Sequence, residues 1–306
     1  MTSSRRSILK GAAAAGVMAA GLPRLSWAQQ AQPLMRPIPS TGEMIPAVGL
    51  GTWITFNVGE DPVLRDECAA VMESFFEAGG RVIDSSPMYG SAQAVIGHGL
   101  EKLGRPKNLF SADKVWISDG DQGRAQMNRS RRLWTVPRFS LMQVHNLLGW
   151  EAHLETLQAM KAAKEIRYVG ITTSEGRRHD LFERVMATQK LDFVQVTYNP
   201  LDREVEQRIL PLAKERGIGI MVNRPFRQGA LTRRLEREPL PGWAAEVGAE
   251  TWAQLILKFI LSHPTVTVAI PATTKPYHAR ENMRAASDPL PDEKFRARIA
   301  AHIRDI

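Results

Sequence analysis

A single cysteine, Cys68, stands in 306 residues, so no disulfide can form within the chain and the fold must rest on packing. Metal-ligand patterning is equally scarce. His98, His153, His179, His263 and His302 never fall into H-E-x-x-H or a related spacing, and no metal site is indicated. No G-x-G-x-x-G follows the first strand-like run. Gly49-Leu50-Gly51-Thr52-Trp53 stands there instead, which argues against an open dinucleotide-binding sheet. The apolar run from Gly11 to Leu22 is too short to span a bilayer. Internal repeats and interdomain linkers are absent, and so is concentrated charge. The formal net charge is +8, but Arg5, Arg6, Lys10 and Arg24 lie in the first 28 residues with no acid among them. Without that segment the balance is +4, an ordinary surface rather than a nucleic-acid footprint. The Arg129-Ser130-Arg131-Arg132 cluster reads as a solvated helix face.

Residues 1–28 read as an address. Two adjacent arginines in Ser4-Arg5-Arg6-Ser7-Ile8-Leu9-Lys10 precede the apolar run, and Ser26-Trp27-Ala28 places small residues where a signal peptidase reads. The arginine pair resembles the twin-arginine export signal, with Ile8 where Phe is usual. The expectation is therefore export through that machinery, cleavage after about Ala28, and no lipid anchor there, since no cysteine stands directly after the site. Residues 29–306 are then one domain.

In that domain short apolar runs alternate with amphipathic stretches. A hairpin is expected over 36–47 around Ser40-Thr41-Gly42, placed as a plug over the bottom of a barrel. Strands are expected near 47–51, 81–84, 109–115, 139–145, 166–171, 192–197, 217–222 and 266–270. Helices are expected near 62–79, 91–103, 121–133, 151–164, 177–187, 204–215, 249–262, 276–286 and 291–304. Eight such units predict an α/β fold with a parallel sheet closed into a (β/α)8 TIM barrel, an N-terminal β-hairpin and an extra C-terminal helix. The longest break, 226–248, is placed to cover a cofactor or substrate.

The chemistry gathers where strands end. Arg81-Val82-Ile83-Asp84 closes a short apolar run, and five residues after Asp84 a turn presents Tyr89. Phe110 to Lys114 and Leu141 to His145 end in the same way. Taken singly, Asp84 is as well explained as a turn cap, Lys114 as a solvated strand end and His145 as a core histidine. Together they put a carboxylate, a phenol, an ammonium and an imidazole at the carboxyl ends of three barrel strands, the face where such barrels hold their chemistry.

The Asp-x4-Tyr, Lys and His, in that order, resemble the aldo-keto reductase family, over about Met44 to Asn282. The resemblance implies an NAD(P)H-dependent oxidoreductase that reduces aldehydes or ketones, or runs the reverse oxidation, by direct hydride transfer. Tyr89 would be the proton donor. Lys114 would lower the phenol pKa, Asp84 would hold Lys114, and His145 would orient the substrate oxygen.

It also implies a cofactor segment, Ile270, Pro271, Ala272, Thr273, Thr274, Lys275, Pro276, Tyr277, His278, Ala279, Arg280, Glu281 and Asn282. Its loop and helix N-terminus suit a phosphate, and Glu281-Asn282 would hold the adenine. Gln195 matches the glutamine that orients the nicotinamide carboxamide, or is a structural hydrogen-bonder on a buried strand.

Three departures stand out. Thr172-Thr173 replaces the family's Ser-Asn. Asn223-Arg224-Pro225-Phe226 stands where a stacking aromatic is common, with Arg224 either a pyrophosphate contact or a surface charge. His278 occupies the place of an arginine that meets the 2′-phosphate, for which Lys275 or Arg280 would substitute. NADP(H) is the expected cofactor, NAD(H) the alternative, and no metal is expected. Trp53, Trp116 and Trp150 follow the first, third and fourth strands and are candidate pocket walls. The chain ends soon after its last helix, so a fairly open site for a small carbonyl compound is expected. The sequence leaves oligomeric state open. A cofactor-binding partner protein with the same fold and little turnover, as the potassium-channel β subunits are, remains the rival reading. A Schiff-base aldolase using Lys114 leaves Tyr89, Gln195 and Glu281-Asn282 unexplained.

Overall fold

The computed structural model describes residues 33–306. The putting-out signal expected over 1–28 lies outside the described residues. Strands β1 (Met35–Pro37) and β2 (Met44–Pro46) form the antiparallel hairpin. Eight parallel strands follow: β3 (Leu50–Gly51), β4 (Val82–Asp84), β5 (Phe110–Val115), β6 (Phe139–Val144), β7 (Ile166–Thr172), β8 (Phe193–Thr197), β9 (Gly219–Asn223) and β10 (Val266–Ala269). They pair in chain order from β3 to β10. Parallel bridges from Val48 to Ala269 and from Gly51 to Ala272 join the two ends, and the sheet closes. Gly51 is needed at this seam, because a Cβ there would stand 2.7 Å from the Ile270 carbonyl oxygen.

The helices are α1 (Pro62–Glu77), α2 (Ala92–Lys102), α3 (Gly120–Leu133), α4 (Trp150–Ala162), α5 (His179–Thr188), α6 (Ile209–Arg216), α7 (Ala230–Leu235), α8 (Trp252–Leu261), α9 (Pro276–Arg284) and α10 (Glu293–Asp305). Their starts are written locally. Asp61 accepts from the amides of Val63 and Leu64 ahead of α1, Thr251 caps α8, and Asp292 caps α10. Two expectations needed correction. The helix expected over 204–215 is a 3-10 turn, Glu204–Glu206, followed by α6. Pro211 explains the break: it has no N–H to give, and so it is tolerated only in the first turn of a helix that starts at Ile209. The break at 226–248 contains α7 and a 3-10 turn, Gly242–Val247, too short to show a periodicity.

Strand alternation divides the apolar residues into two cores. Outward side chains such as Ile83, Val115, Val144, Ile171, Val194 and Val222 pack under the helices. Inward ones, Val82, Phe110, Leu141, Tyr168, Phe193, Met221 and Val268, fill the barrel, and Ile38 and Ile45 of the hairpin segment close its lower end. Further along the same strands the inward positions become polar: Asp84, Lys114, Gln143 and Gln195. The barrel is thus solid hydrocarbon below and hydrogen-bonded above, and the polar layer carries the site.

Candidate active site

The register of β4 on β5 sets Asp84 beside Ala112, and Lys114 is the next inward residue of β5. Lys114 Nζ donates to Asp84 Oδ2 at 2.6 Å and to the Ser85 carbonyl at 2.8 Å. The two side chains are 0% and 2% exposed. Asp84 Oδ1 accepts from Gln195 Nε2 at 2.9 Å and from Gln143 Nε2 at 3.2 Å. A buried carboxylate held by a cation and two amides cannot turn, and it holds the cation in return. Burial by itself pulls the Lys114 ammonium toward neutrality. The Asp84 and Tyr89 charges together outweigh that and leave its pKa above the usual lysine value.

Tyr89 follows β4 on a tight turn, its amide donating to the Ser86 carbonyl at 3.0 Å. Gly90 completes the turn at φ 61°, packed so that a Cβ would meet the Asn57 amide. Lys114 Nζ lies 5.0 Å from the Tyr89 ring centroid. The His145 ring meets Tyr89 edge-on at 5.8 Å, and Trp53 lies 6.3 Å away on another side. The structure therefore brings Asp84, Tyr89, Lys114 and His145 into one cluster. It corrects one detail. Lys114 does pull the Tyr89 phenol down, but burial outweighs it and the net shift is upward. Burial, and then the Lys114 charge, drive His145 down to about 2, so its ring is neutral.

The remaining mouth residues are placed unevenly. Thr172 accepts from the Asn146 amide at 3.0 Å, and the Thr173 hydroxyl donates to the Arg177 carbonyl at 2.5 Å, so both hydroxyls are engaged within the protein. Asn223 donates to the Thr173 carbonyl at 2.9 Å and accepts from Thr197 at 2.7 Å. Arg224 is no surface charge: its side chain is 16% exposed and pairs with Glu175 at 2.6 Å. Its guanidinium lies 5.5 Å from the Trp53 ring centroid, and it lines a cavity of about 340 Å³ with Glu175, His179, Asp202 and Arg227. Pro225 is buried, and Phe226 packs on the outer core. Of the three tryptophans the structure brings Trp53 to Tyr89. Trp116 is 41% exposed, and Trp150 opens α4 and packs against the outer core.

After β10, Ile270 and Pro271 are buried, whereas Ala272, Thr274, Lys275 and His278 are exposed. Thr273 Oγ1 accepts from the Lys275 amide at 3.1 Å and lies 3.4 Å from His278 Nδ1. Pro276 begins α9, and Lys275 ahead of it offers no side-chain cap, so the first-turn amides stay open. Arg280 is exposed and donates through one guanidinium nitrogen to Ser74 of α1 at 2.7 Å. Glu281 accepts from the Thr251 hydroxyl, and Asn282 is buried. Among the described residues no group of three His, Cys, Asp or Glu side chains is arranged to hold a metal ion, and no helix is long and apolar enough to cross a membrane.

A sequence model of the aldo/keto reductase family matches residues 47–303. The chain belongs to the aldo/keto reductase family. It is 23% identical to the NADH-specific methylglyoxal reductase of Escherichia coli K12, covering 84% of this chain and 94% of that one. With methylglyoxal reductase YeaE of the same organism the identity is 28%, over 78% and 84% of the two chains. The crystal structure of a Klebsiella pneumoniae aldo/keto reductase in complex with NADP and acetate superposes with a TM-score of 0.74. It is 21% identical and covers 88% of this chain and 95% of that one, a likeness of fold.

Two residues of this aldo/keto reductase's site escaped the sequence reading. Gln143 lies on β6 two residues before His145, which follows the strand's end directly, and the strand period places Gln143 inside the barrel. Ser86 hydrogen-bonds His145 Nδ1 at 2.7 Å from beyond the end of β4, where no periodicity reaches.

Proposed function

We propose that this aldo/keto reductase reduces small aldehydes and ketones, 2-oxoaldehydes such as methylglyoxal among them, with NADPH preferred to NADH. The observation that carries the reading is the buried Lys114–Asp84 pair beside the Tyr89 ring, with neutral His145 at its edge. When bound, the nucleotide supplies a hydride to the carbonyl carbon. The chain's residues then manage the oxygen. Tyr89 gives its phenolic proton to the developing alkoxide, and Lys114 stabilises the phenolate left behind. Asp84 keeps Lys114 charged and in place, and His145 hydrogen-bonds the same oxygen.

The described residues fit such a nucleotide at two places. Gln195 Oε1 accepts from Asn223 Nδ2 at a long 3.4 Å, which leaves it acceptor capacity for a carboxamide N–H. The uncapped first turn of α9, with Lys275 exposed beside it, suits a phosphate and supports the NADPH preference. Thr172, Thr173, Asn223 and Arg224 would line the nicotinamide end. The test is Tyr89→Phe. Carbonyl reduction should fall at least ~10³-fold, while NADPH and NADH titrations followed by fluorescence keep their affinities within about twofold of the parent. Retained turnover would refute the assignment.

The paired Arg5-Arg6 and the small residues Ser26 and Ala28 support export by the twin-arginine route, with the enzyme working outside the cytoplasm as one domain from residue 29. Replacing both arginines by lysine in a fusion of residues 1–40 to a reporter should hold the reporter in the cytoplasm. Undiminished export would point to the general secretory route.

A further inference from the structure

We propose that Ser86 is a positioning residue: its hydroxyl fixes His145 as the Nε2–H tautomer, so that the imidazole faces the substrate oxygen as a donor. The inference rests on the carbonyl-reducing reading of this site and adds a residue to it.

Ser86 is fully buried, and its Oγ has two partners. The Met88 amide donates to it at 3.2 Å, and His145 Nδ1 lies 2.7 Å away. A serine hydroxyl carries one proton and two lone pairs. The Met88 amide takes a lone pair, and the proton must go to an acceptor. Nδ1 is the acceptor within reach among the described residues. The bond therefore runs from Ser86 O–H to an unprotonated Nδ1, and the one proton of the neutral ring sits on Nε2. With the opposite tautomer, Nδ1–H and the Met88 N–H would both donate to Oγ. The Ser86 proton would be stranded without an acceptor in a dry site, which is unfavourable.

The consequence lies at the other nitrogen. Nε2 has no hydrogen-bond partner among the described residues, yet it is not sealed from solvent, as the orphaned Nδ1 of His153 is. The ring edge meets Tyr89. Nε2 thus opens toward the space beside the phenol. A lone pair there would repel a carbonyl oxygen gaining negative charge, whereas an N–H stabilises it. The low pKa of His145 agrees, since a ring that stays neutral owes its donor wholly to its tautomer.

The test is nitrogen-15 NMR of selectively histidine-labelled protein, with the His145 signals identified by their loss in His145→Asn. In the parent, Nδ1 should resonate as an unprotonated nitrogen and Nε2 as a protonated one. In Ser86→Ala the two should move toward each other as tautomers mix. The same variant should lose roughly tenfold in kcat for carbonyl reduction, the size of a single misplaced hydrogen bond, with nucleotide affinity unchanged. Ser86→Thr restores a hydroxyl and should recover the parent spectrum; if its extra methyl blocks folding, Ser86→Cys, a weaker donor of similar shape, should fall between parent and alanine. An Nδ1–H tautomer in the parent, or a Ser86→Ala spectrum identical to the parent's, overturns the proposal. A parent protein with the Nε2–H tautomer and no carbonyl turnover would leave Ser86's effect on the ring standing and sink the reductase reading instead.

Discussion

Lys114 is a cation enclosed by protein, and its neighbours decide what happens when it is removed. Asp84 would keep its two amide donors, Gln143 and Gln195, but would lose the one full charge paired with it among the described residues. Lys114→Met should therefore destabilise the fold by about 3 kcal/mol, the cost of stranding one partner of a buried pair. Urea unfolding at pH 7 measures this. The phenol of Tyr89 should titrate still higher in the variant, because burial would act unopposed. Asp84, Lys114 and His145 were legible because each stands at the end of an apolar run that reads as a buried strand, and Tyr89 because it follows Asp84 on a short turn. Gln143 was legible in principle, since it shares a face with His145. Ser86, Thr251 and Ser74 were not, because what they do depends on partners 59, 30 and 206 residues away.

On β5, consecutive residues face opposite sides, so the strand that points Lys114 into the barrel points Asp113 out under the helices. Asp113 is fully buried there, accepting from the Lys114 amide at 2.8 Å and from Gln93 Nε2 of α2 at 2.7 Å. Burial pushes its carboxyl up to about 7. A carboxyl raised in the folded state binds its proton more tightly there than in the unfolded chain. The stability it contributes is present below pH 4 and is lost as pH rises toward 7. Asp113→Asn should flatten that decline, recovering on the order of 4 kcal/mol at pH 8 at most, once the Gln93 amide turns over to accept. Thermal unfolding of both proteins from pH 4 to pH 8 checks the slope. Element boundaries followed a similar logic. Helices with caps and long apolar stripes were readable, while α6 had been read through Pro211 and α7 was too brief to leave a pattern.

At the scale of the whole molecule, the closed barrel was readable from the count and spacing of apolar runs, because eight strands each followed by a helix leave few other ways to bury them. The hairpin's position as a plug was readable as well, from its place ahead of the first barrel strand. What the chain pattern does not carry is lateral detail: that Arg280 reaches Ser74 of α1, or that Trp116 stands largely in solvent. These follow from helix rotation and loop path, which a one-dimensional pattern does not encode.

The plug and the apolar lower layer have a consequence for turnover. Among the described residues Ile38, Ile45, Phe110, Phe193 and the ring of Tyr168, whose hydroxyl bonds Glu43 and Thr41, pack the floor below the polar layer. On that side the vessel is closed. In the role proposed for Tyr89, each cycle takes a proton from the phenol, and its replacement would arrive through the opening that admits the substrate and releases the alcohol. Recharging the acid and emptying the site would then be a shared event, with the water that follows the product out as the source of the proton.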